Sequence, residues 1–181
     1  MTLRSHPALG RVRALDRAVD AAVDRWRSPA LDRLFYPLSS AADHSLIWVA
    51  IGAVREATGW GRRGSALRLT GVLAFESPLT NGLVKLVFRR LRPALDPAPS
   101  GPLPFGLRRP VTSAFPSGHA TSGFTAAAFL ARGDPLGPAY YLLAAVVAVS
   151  RVYVRLHHAS DVIGGALLGM AFGRVARRLA P

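Results

Sequence analysis

Tyr140-Tyr141-Leu142-Leu143-Ala144-Ala145-Val146-Val147-Ala148-Val149 is a run of ten residues with no charge and no polar stripe. A soluble amphipathic helix shows a polar face every three to four residues, and this run has none. Its apolar character extends from Leu136 to Val154, close to the ~20 residues that cross a hydrocarbon core. Four further apolar stretches flank it, at Leu34–Val54, Leu69–Phe88, Ala114–Leu130 and Val162–Phe172. They are rich in Ala and Gly, as closely packed membrane helices are. The expected fold is therefore all-α, an integral membrane helical bundle of about five spans. The first span carries Ser39, Ser40, Asp43 and His44 and is the least apolar of the five.

Ahead of the spans, Val12, Leu15, Val19, Val23 and Trp26 recur at helical spacing with Arg and Asp between them. Residues 1–33 read as an amphipathic interfacial segment, lying on the membrane or packed on the bundle. Residues 34–181 read as the membrane-embedded domain. The first thirty residues carry six arginines and no apolar core, so no cleavable signal peptide is expected there. Trp26, Trp48 and Trp60 are expected to anchor at the interface.

The 181 residues contain no cysteine, which excludes disulfide and thiolate chemistry. The net charge of +13 comes from 23 Lys and Arg against 10 Asp and Glu. These cations flank apolar segments and form no aromatic-interleaved tract. That pattern fits membrane lipids as partners and not nucleic acid. Arg89, Arg90, Arg108 and Arg109 are expected to meet lipid headgroups.

Three short segments carry chemistry. Lys85, the sole lysine, opens Lys85-Leu86-Val87-Phe88-Arg89-Arg90-Leu91-Arg92-Pro93. Pro116-Ser117-Gly118-His119 starts the third span. Ser150-Arg151 precedes His157 and Asp161 at the end of the fourth. On an up-and-down bundle all three fall at the same membrane face. Between the first two lies a proline-rich loop, Arg89–Ser113, a candidate lid or substrate entrance.

The inventory suits a phosphate. Arg92 and Arg151 can bind oxygens bidentately, and Lys85 adds a compact charge. The amides of Ser117, Gly118 and His119 lie at a helix start, where free N–H groups favour an anion. One of two histidines can attack phosphorus while the other handles the leaving-group proton. Asp161, four residues after His157, shares its helix face and can fix an imidazole tautomer. No metal or other cofactor is required. Glu76 is an ionisable group inside a span, either functional or the partner of a cation. Asp43 and His44 are either rim residues of the site or a sign that the first span starts later.

Lys-x6-Arg-Pro, Pro-Ser-Gly-His and Ser-Arg-x5-His-x3-Asp together resemble the type 2 phosphatidic acid phosphatase superfamily. That group includes bacterial lipid phosphatases, glucose-6-phosphatase and vanadium haloperoxidases. The resemblance covers Lys85–Asp161 without a substitution in the motifs. It implies that His157 is the nucleophile forming a phosphohistidine, that Asp161 orients it and that His119 is the general acid. It implies phosphate binding by Lys85, Arg92, Ser117, Gly118 and Arg151. The spacing after Ser150-Arg151 selects His157 over its neighbour His158.

The implied activity is metal-independent hydrolysis of a lipid phosphate or diphosphate, such as phosphatidate, phosphatidylglycerol phosphate or a polyprenyl (di)phosphate. The alternatives are a vanadate-dependent peroxidase and a non-catalytic lipid-binding or transport protein on the same fold. The implied location is the plasma membrane, multi-pass, with the active site on the extracytoplasmic face. The cation count runs the other way, with fourteen on the motif face and eight opposite.

Overall fold

The computed structural model describes residues 7–94 and 103–179. Pro97, Pro99 and Pro102 of the proline-rich loop, and Arg4, lie outside the described residues. The described chain is all-helical. The helices are α1 (Pro7–Trp26), α2 (Pro29–Ala41), α3 (Leu46–Ala57), α4 (Ser65–Pro78), α5 (Lys85–Val87), α6 (Gly118–Leu130), α7 (Gly137–Tyr153) and α8 (Ala159–Leu179). A π-helical turn, Leu79–Val84, joins α4 to α5, so the expected second span is nearly continuous.

Helix α6 lies at the centre, packed on α7 and α8. Its contact with α8 is set by glycines at a four-residue spacing. A Cβ added at Gly165, Gly169 or Gly173 would fall 2.6, 2.2 or 2.6 Å from the backbone oxygens of Ser117, Thr121 and Thr125. Only hydrogen fits there, so the two backbones touch directly. Thr125 Oγ1 donates to the Gly169 carbonyl across the seam at 3.2 Å.

One apolar cluster joins Trp48, Leu69, Leu73, Ala126, Ala127, Leu130, Tyr140 and Ala144. Trp48 is 1% exposed, which corrects the expectation that it anchors at an interface. It fills space beside Gly123 that the small residues of α6 leave open. Outside the core, Leu67, Phe75, Leu142, Val149, Ile163 and Leu167 all point outward. Helix α8 is long and apolar enough to cross a membrane, and α7 is a shorter apolar helix.

The expected first span, Leu34–Val54, is broken. His44 and Ser45 both adopt left-handed backbone conformations, at φ 55° and 60°, between α2 and α3. An L-residue helix cannot continue through such a pair. The break places Asp43 and His44 on the rim of the cavity at the motif end.

Helix α1 packs by its acidic side. Asp16, Asp20 and Asp24, four residues apart, face the bundle, while Leu9, Val12, Leu15 and Trp26 are exposed. Asp16 is 2% exposed. Of the apolar stripe that the spacing revealed, Val12, Leu15 and Trp26 face outward, while Val23 packs against the cluster that holds Tyr36 and Tyr153.

Candidate active site

The three motif segments close around one cavity of about 630 Å³. Lys85 comes from α5, Arg92 from the strap after it, and Gly118 and His119 from the first turn of α6. Arg151 comes from the last turn of α7 and His157 from the α7–α8 loop. All six line the cavity, as do Asp43, Glu76, Arg108 and Arg109. Arg108 and Arg109, expected at lipid headgroups, therefore face the site; Arg109 donates to the Pro93 carbonyl at 2.5 Å.

His157 is 2% exposed, and its ring is held in one tautomer. Nδ1 lies 2.8 Å from the Ala114 carbonyl, which can only accept. Nδ1 therefore carries the proton, and Nε2 presents its lone pair, 3.2 Å from Arg92 Nη1. Burial pushes this imidazole down to about 3, opposed by the Asp161 carboxylate and reinforced by the charges of Arg92 and Arg151. Its ring is neutral across the physiological range. His158 does not line the cavity; its Nδ1 lies 3.1 Å from Asp20 Oδ2 on α1.

Asp161 departs from the expected geometry. Its Oδ2 is 3.8 Å from His157 Nδ1, beyond hydrogen-bond reach, because the Ala114 carbonyl takes that position. The carboxylate instead accepts from Arg90 Nη1 at 2.8 Å and from the His158 amide at 2.9 Å. Arg90, expected at the lipid surface, bridges to Asp16 Oδ2 at 2.5 Å. Ser160 closes the cluster, with its amide and hydroxyl both 2.9 Å from Asp16. Asp161 thus acts on His157 as a nearby charge and as a brace for the loop.

Ser117 also differs from expectation, being fully buried and absent from the cavity wall. Its amide donates to the Asp161 carbonyl at 3.0 Å, and its hydroxyl caps α6 through the Ala120 amide. It fixes the helix start; the free first-turn amides beyond it belong to Gly118 and His119. At Gly118 the Asn81 side chain comes close, and an added Cβ would lie 2.8 Å from Asn81 Oδ1 and push that side chain aside.

Arg151 is 2% exposed and held by neutral groups. Its Nη1 donates to Ser39 Oγ at 2.6 Å and to the Ser39 carbonyl at 3.1 Å, while Asp43 Oδ1 is 3.9 Å away. Its Nε is buried without a hydrogen-bond partner among the described residues. His119 Nε2 lies 2.7 Å from Asp43 Oδ1. Burial raises the Asp43 carboxyl, but the hydrogen bond and charge of His119, with Arg151, outweigh it and hold it below the usual range.

Sequence reasoning passed over Ser39, Asp16 and the Ala114 carbonyl. The four-residue spacing of Asp16, Asp20 and Asp24 was the one visible signal among them. Behind the site, the α7–α8 loop is clamped from the N-terminal side. Arg155, at φ 60°, pairs with Asp20 at 2.8 Å and with Asp24. Arg27 donates to the Tyr153 carbonyl at 2.9 Å, and the Tyr153 hydroxyl donates to Asp32 at 2.7 Å.

The model of the PAP2 superfamily matches residues 65–181, which is most of the chain and every motif above. The chain belongs to the PAP2 superfamily. Among PAP2 relatives, decaprenylphosphoryl-5-phosphoribose phosphatase of Mycobacterium tuberculosis is 31% identical over 166 residues, covering 92% of this chain and 88% of that protein. The protein of the same name from Mycolicibacterium smegmatis is 34% identical over 128 residues, covering 71% and 67%. A transmembrane PAP2 type phosphatidylglycerolphosphate phosphatase from Bacillus subtilis shares the fold, with a TM-score of 0.68 and 24% identity. That match covers 97% of this chain and 87% of the solved one.

Proposed function

We propose that this PAP2 protein is a membrane phosphatase that removes phosphate from a lipid through a phosphohistidine intermediate, without a metal. The observation that carries the reading is the Arg151 side chain, buried, held by neutral Ser39 and left with an unpartnered Nε on the wall that also holds His157. A buried donor without an acceptor costs ~1–3 kcal/mol, and a phosphate oxygen removes that cost.

The steps follow from the geometry. Lys85, Arg92 and Arg151 take the phosphoryl oxygens, with the Gly118 and His119 amides behind them. His157 Nε2 attacks phosphorus, forming the P–N bond as the P–O bond to the lipid breaks. His119, tied to Asp43, supplies the proton that the leaving oxygen needs. The Ala114 carbonyl and the Asp161 charge stabilise the imidazolium. Water, giving its proton to His119, then attacks phosphorus and frees inorganic phosphate, returning His157 to its neutral form. The cations on the cavity wall supply the charge neutralisation that a metal ion would otherwise bring.

The mycobacterial relatives are named for decaprenylphosphoryl-5-phosphoribose and the Bacillus structure for phosphatidylglycerolphosphate. Both names support a lipid-linked phosphate as the substrate here. Outward apolar side chains along α4, α7 and α8, with the length of α8, support a multi-pass membrane protein. We place the site on the outer face of the plasma membrane. The chain has no cysteine, so single cysteines at Thr112 and Arg62 allow labelling from either side. Labelling of Arg62→Cys but not Thr112→Cys from outside intact cells would reverse that orientation.

The chemistry is tested by phosphate release from lipid phosphates in detergent with EDTA. Release that survives EDTA and is lost in His157→Ala is expected. Undiminished release in His157→Ala sinks the nucleophile, and release abolished by EDTA sinks metal independence.

A further inference from the structure

The active-site cavity contains an acidic group that phosphate binding does not explain. Glu76 is 1% exposed, lines the cavity and leaves Oε1 buried without a hydrogen-bond partner among the described residues. Arg151 Nε, also buried and unpartnered, belongs to the same wall lining. The two orphans have opposite needs. Arg151 lacks an acceptor, which a phosphate oxygen supplies. Glu76 has the Thr80 hydroxyl and the Lys85 charge beside it, yet its Oε1 lacks a donor, and an ionised phosphate has none to give. A carboxyl group beside a phosphate site repels a bare dianion, so its burial there is a cost unless something else meets it.

Size points the same way. A phosphate has the bulk of a few waters, on the order of 100 Å³. The cavity is about 630 Å³, so most of it serves another part of the ligand. Ser77 and Ser122 share the lining with Glu76. Ser77 Oγ accepts from Asn81 Nδ2 at 3.3 Å, and Ser122 Oγ donates to the His119 carbonyl at 3.4 Å, so each hydroxyl keeps further hydrogen-bonding capacity. A carboxyl flanked by hydroxyls is a surface for a polyol.

We propose that Glu76, with Ser77 and Ser122, forms a hydroxyl-binding subsite, and that the substrate's phosphate is borne by a headgroup with free hydroxyls. This rests on the phosphatase reading of the same cavity and adds the headgroup class. Glu76 Oε1 accepts from a headgroup hydroxyl while Arg151 and Lys85 hold the phosphate. A site built to bond a hydroxyl discriminates strongly against the analogue that lacks it.

The test uses two matched pairs of probes with equal tails in detergent. One pair is lysophosphatidate and its 2-deoxy analogue. The other is octyl ribofuranoside 5-phosphate and its 2,3-dideoxy analogue. The full-length wild type is expected to favour the hydroxylated member of at least one pair by tenfold or more in kcat/KM. Glu76→Leu is expected to lower the hydroxylated member to the level of its deoxy partner and to leave the deoxy rate within about threefold. Glu76→Gln, which keeps an acceptor oxygen, is expected to restore part of the preference. Equal wild-type rates within both pairs overturn the subsite. So does a parallel loss on both members in either variant, which marks Glu76 as a structural partner of the fold. The phosphatase reading fails separately, through absence of wild-type release from every probe or undiminished release in His157→Ala.

Discussion

The two ends of the bundle both gather arginines around a cavity, yet they treat the charge differently. At the end opposite the motifs, Arg55, Arg62, Arg68, Arg132 and Arg177 line a cavity of about 460 Å³. There the protein provides its own counter-charge. Arg55 pairs with Asp134, and its guanidinium lies 5.4 Å from the Tyr140 ring centroid. Asp134 also accepts from the Leu136 amide at 2.8 Å and the Tyr140 hydroxyl at 3.0 Å. At the motif end, Arg151 is fixed at hydrogen-bond distance by a serine hydroxyl and a carbonyl, while the carboxylate of Asp43 stands off at 3.9 Å and is bonded to His119, so the guanidinium is only partly neutralised. Arginine number does not distinguish a reactive phosphate site from a basic surface. Neutral support for a buried cation does, because the charge stays available to a ligand.

The largest expected effect is at the proposed nucleophile. His157→Ala is expected to lower phosphate release at least about 10³-fold, while Asp134→Asn at the other end leaves kcat within about twofold. The same imidazole sets a pH signature. With His157 pushed down to about 3, its protonation contributes no acid limb to kcat/KM near the ordinary histidine value of 6.5. A limb at that position, after allowance for the substrate's own ionisation, would contradict the buried neutral ring. The sign for stability follows: between about 3 and 6.5 the unfolded chain binds the His157 proton and the folded one does not, so this group's contribution rises with pH.

Next in size is the support of Arg151. Arg151→Lys keeps a cation but not the fork that spans Ser39 and the ligand, and a loss of about 10²-fold in kcat/KM is expected. Ser39→Ala, measured beside it, is expected to cost about tenfold by the same route. A wild-type rate in Ser39→Ala would erase the contrast between the two ends.

A smaller effect belongs to the brace behind the loop. Arg90→Gln and Asp16→Asn are each expected to lower kcat about tenfold with little change in KM, and the double variant to be no worse than the worse single one. Additive losses would separate the two residues. Smallest in catalysis is Asp134→Asn, expected to lower thermal stability in detergent by about 1–2 kcal/mol through its lost ion pair, without a kinetic phenotype.

What the sequence revealed, and what it hid, follows the range of the interactions. The apolar runs read as Ala114–Leu130, Leu136–Val154 and Val162–Phe172 correspond to α6, α7 and α8, within a few residues at most ends. Local periodicity carries that signal, and fixed motif spacings carried Lys85, Arg92, Gly118, His119, Arg151 and His157 into one cavity. The break at His44 and Ser45 was visible only as polarity inside a span. The sequence left open whether α1 lies on the membrane or packs on the bundle, because the ion pairs that dock it are made with residues 74 and 131 positions away. Asp161 was paired with His157 on helical spacing, yet the Ala114 carbonyl, 43 residues from His157, occupies the ring nitrogen.

The glycine seam between α6 and α8 has a thermal consequence. His119 stands on the first turn of α6 and Asp161 on the first turn of α8, and the backbones between them meet with no side chain interposed. The side chains beside the seam are short, and Thr125 is tied to the Gly169 carbonyl, so little there can soften with heat or yield under pressure. The spacing of the two helix starts beside the catalytic pocket therefore behaves as a rigid gauge, constant until the helices part altogether. Heat inactivation and loss of the fold are then one event, and the enzyme has no warm, folded, slack intermediate state.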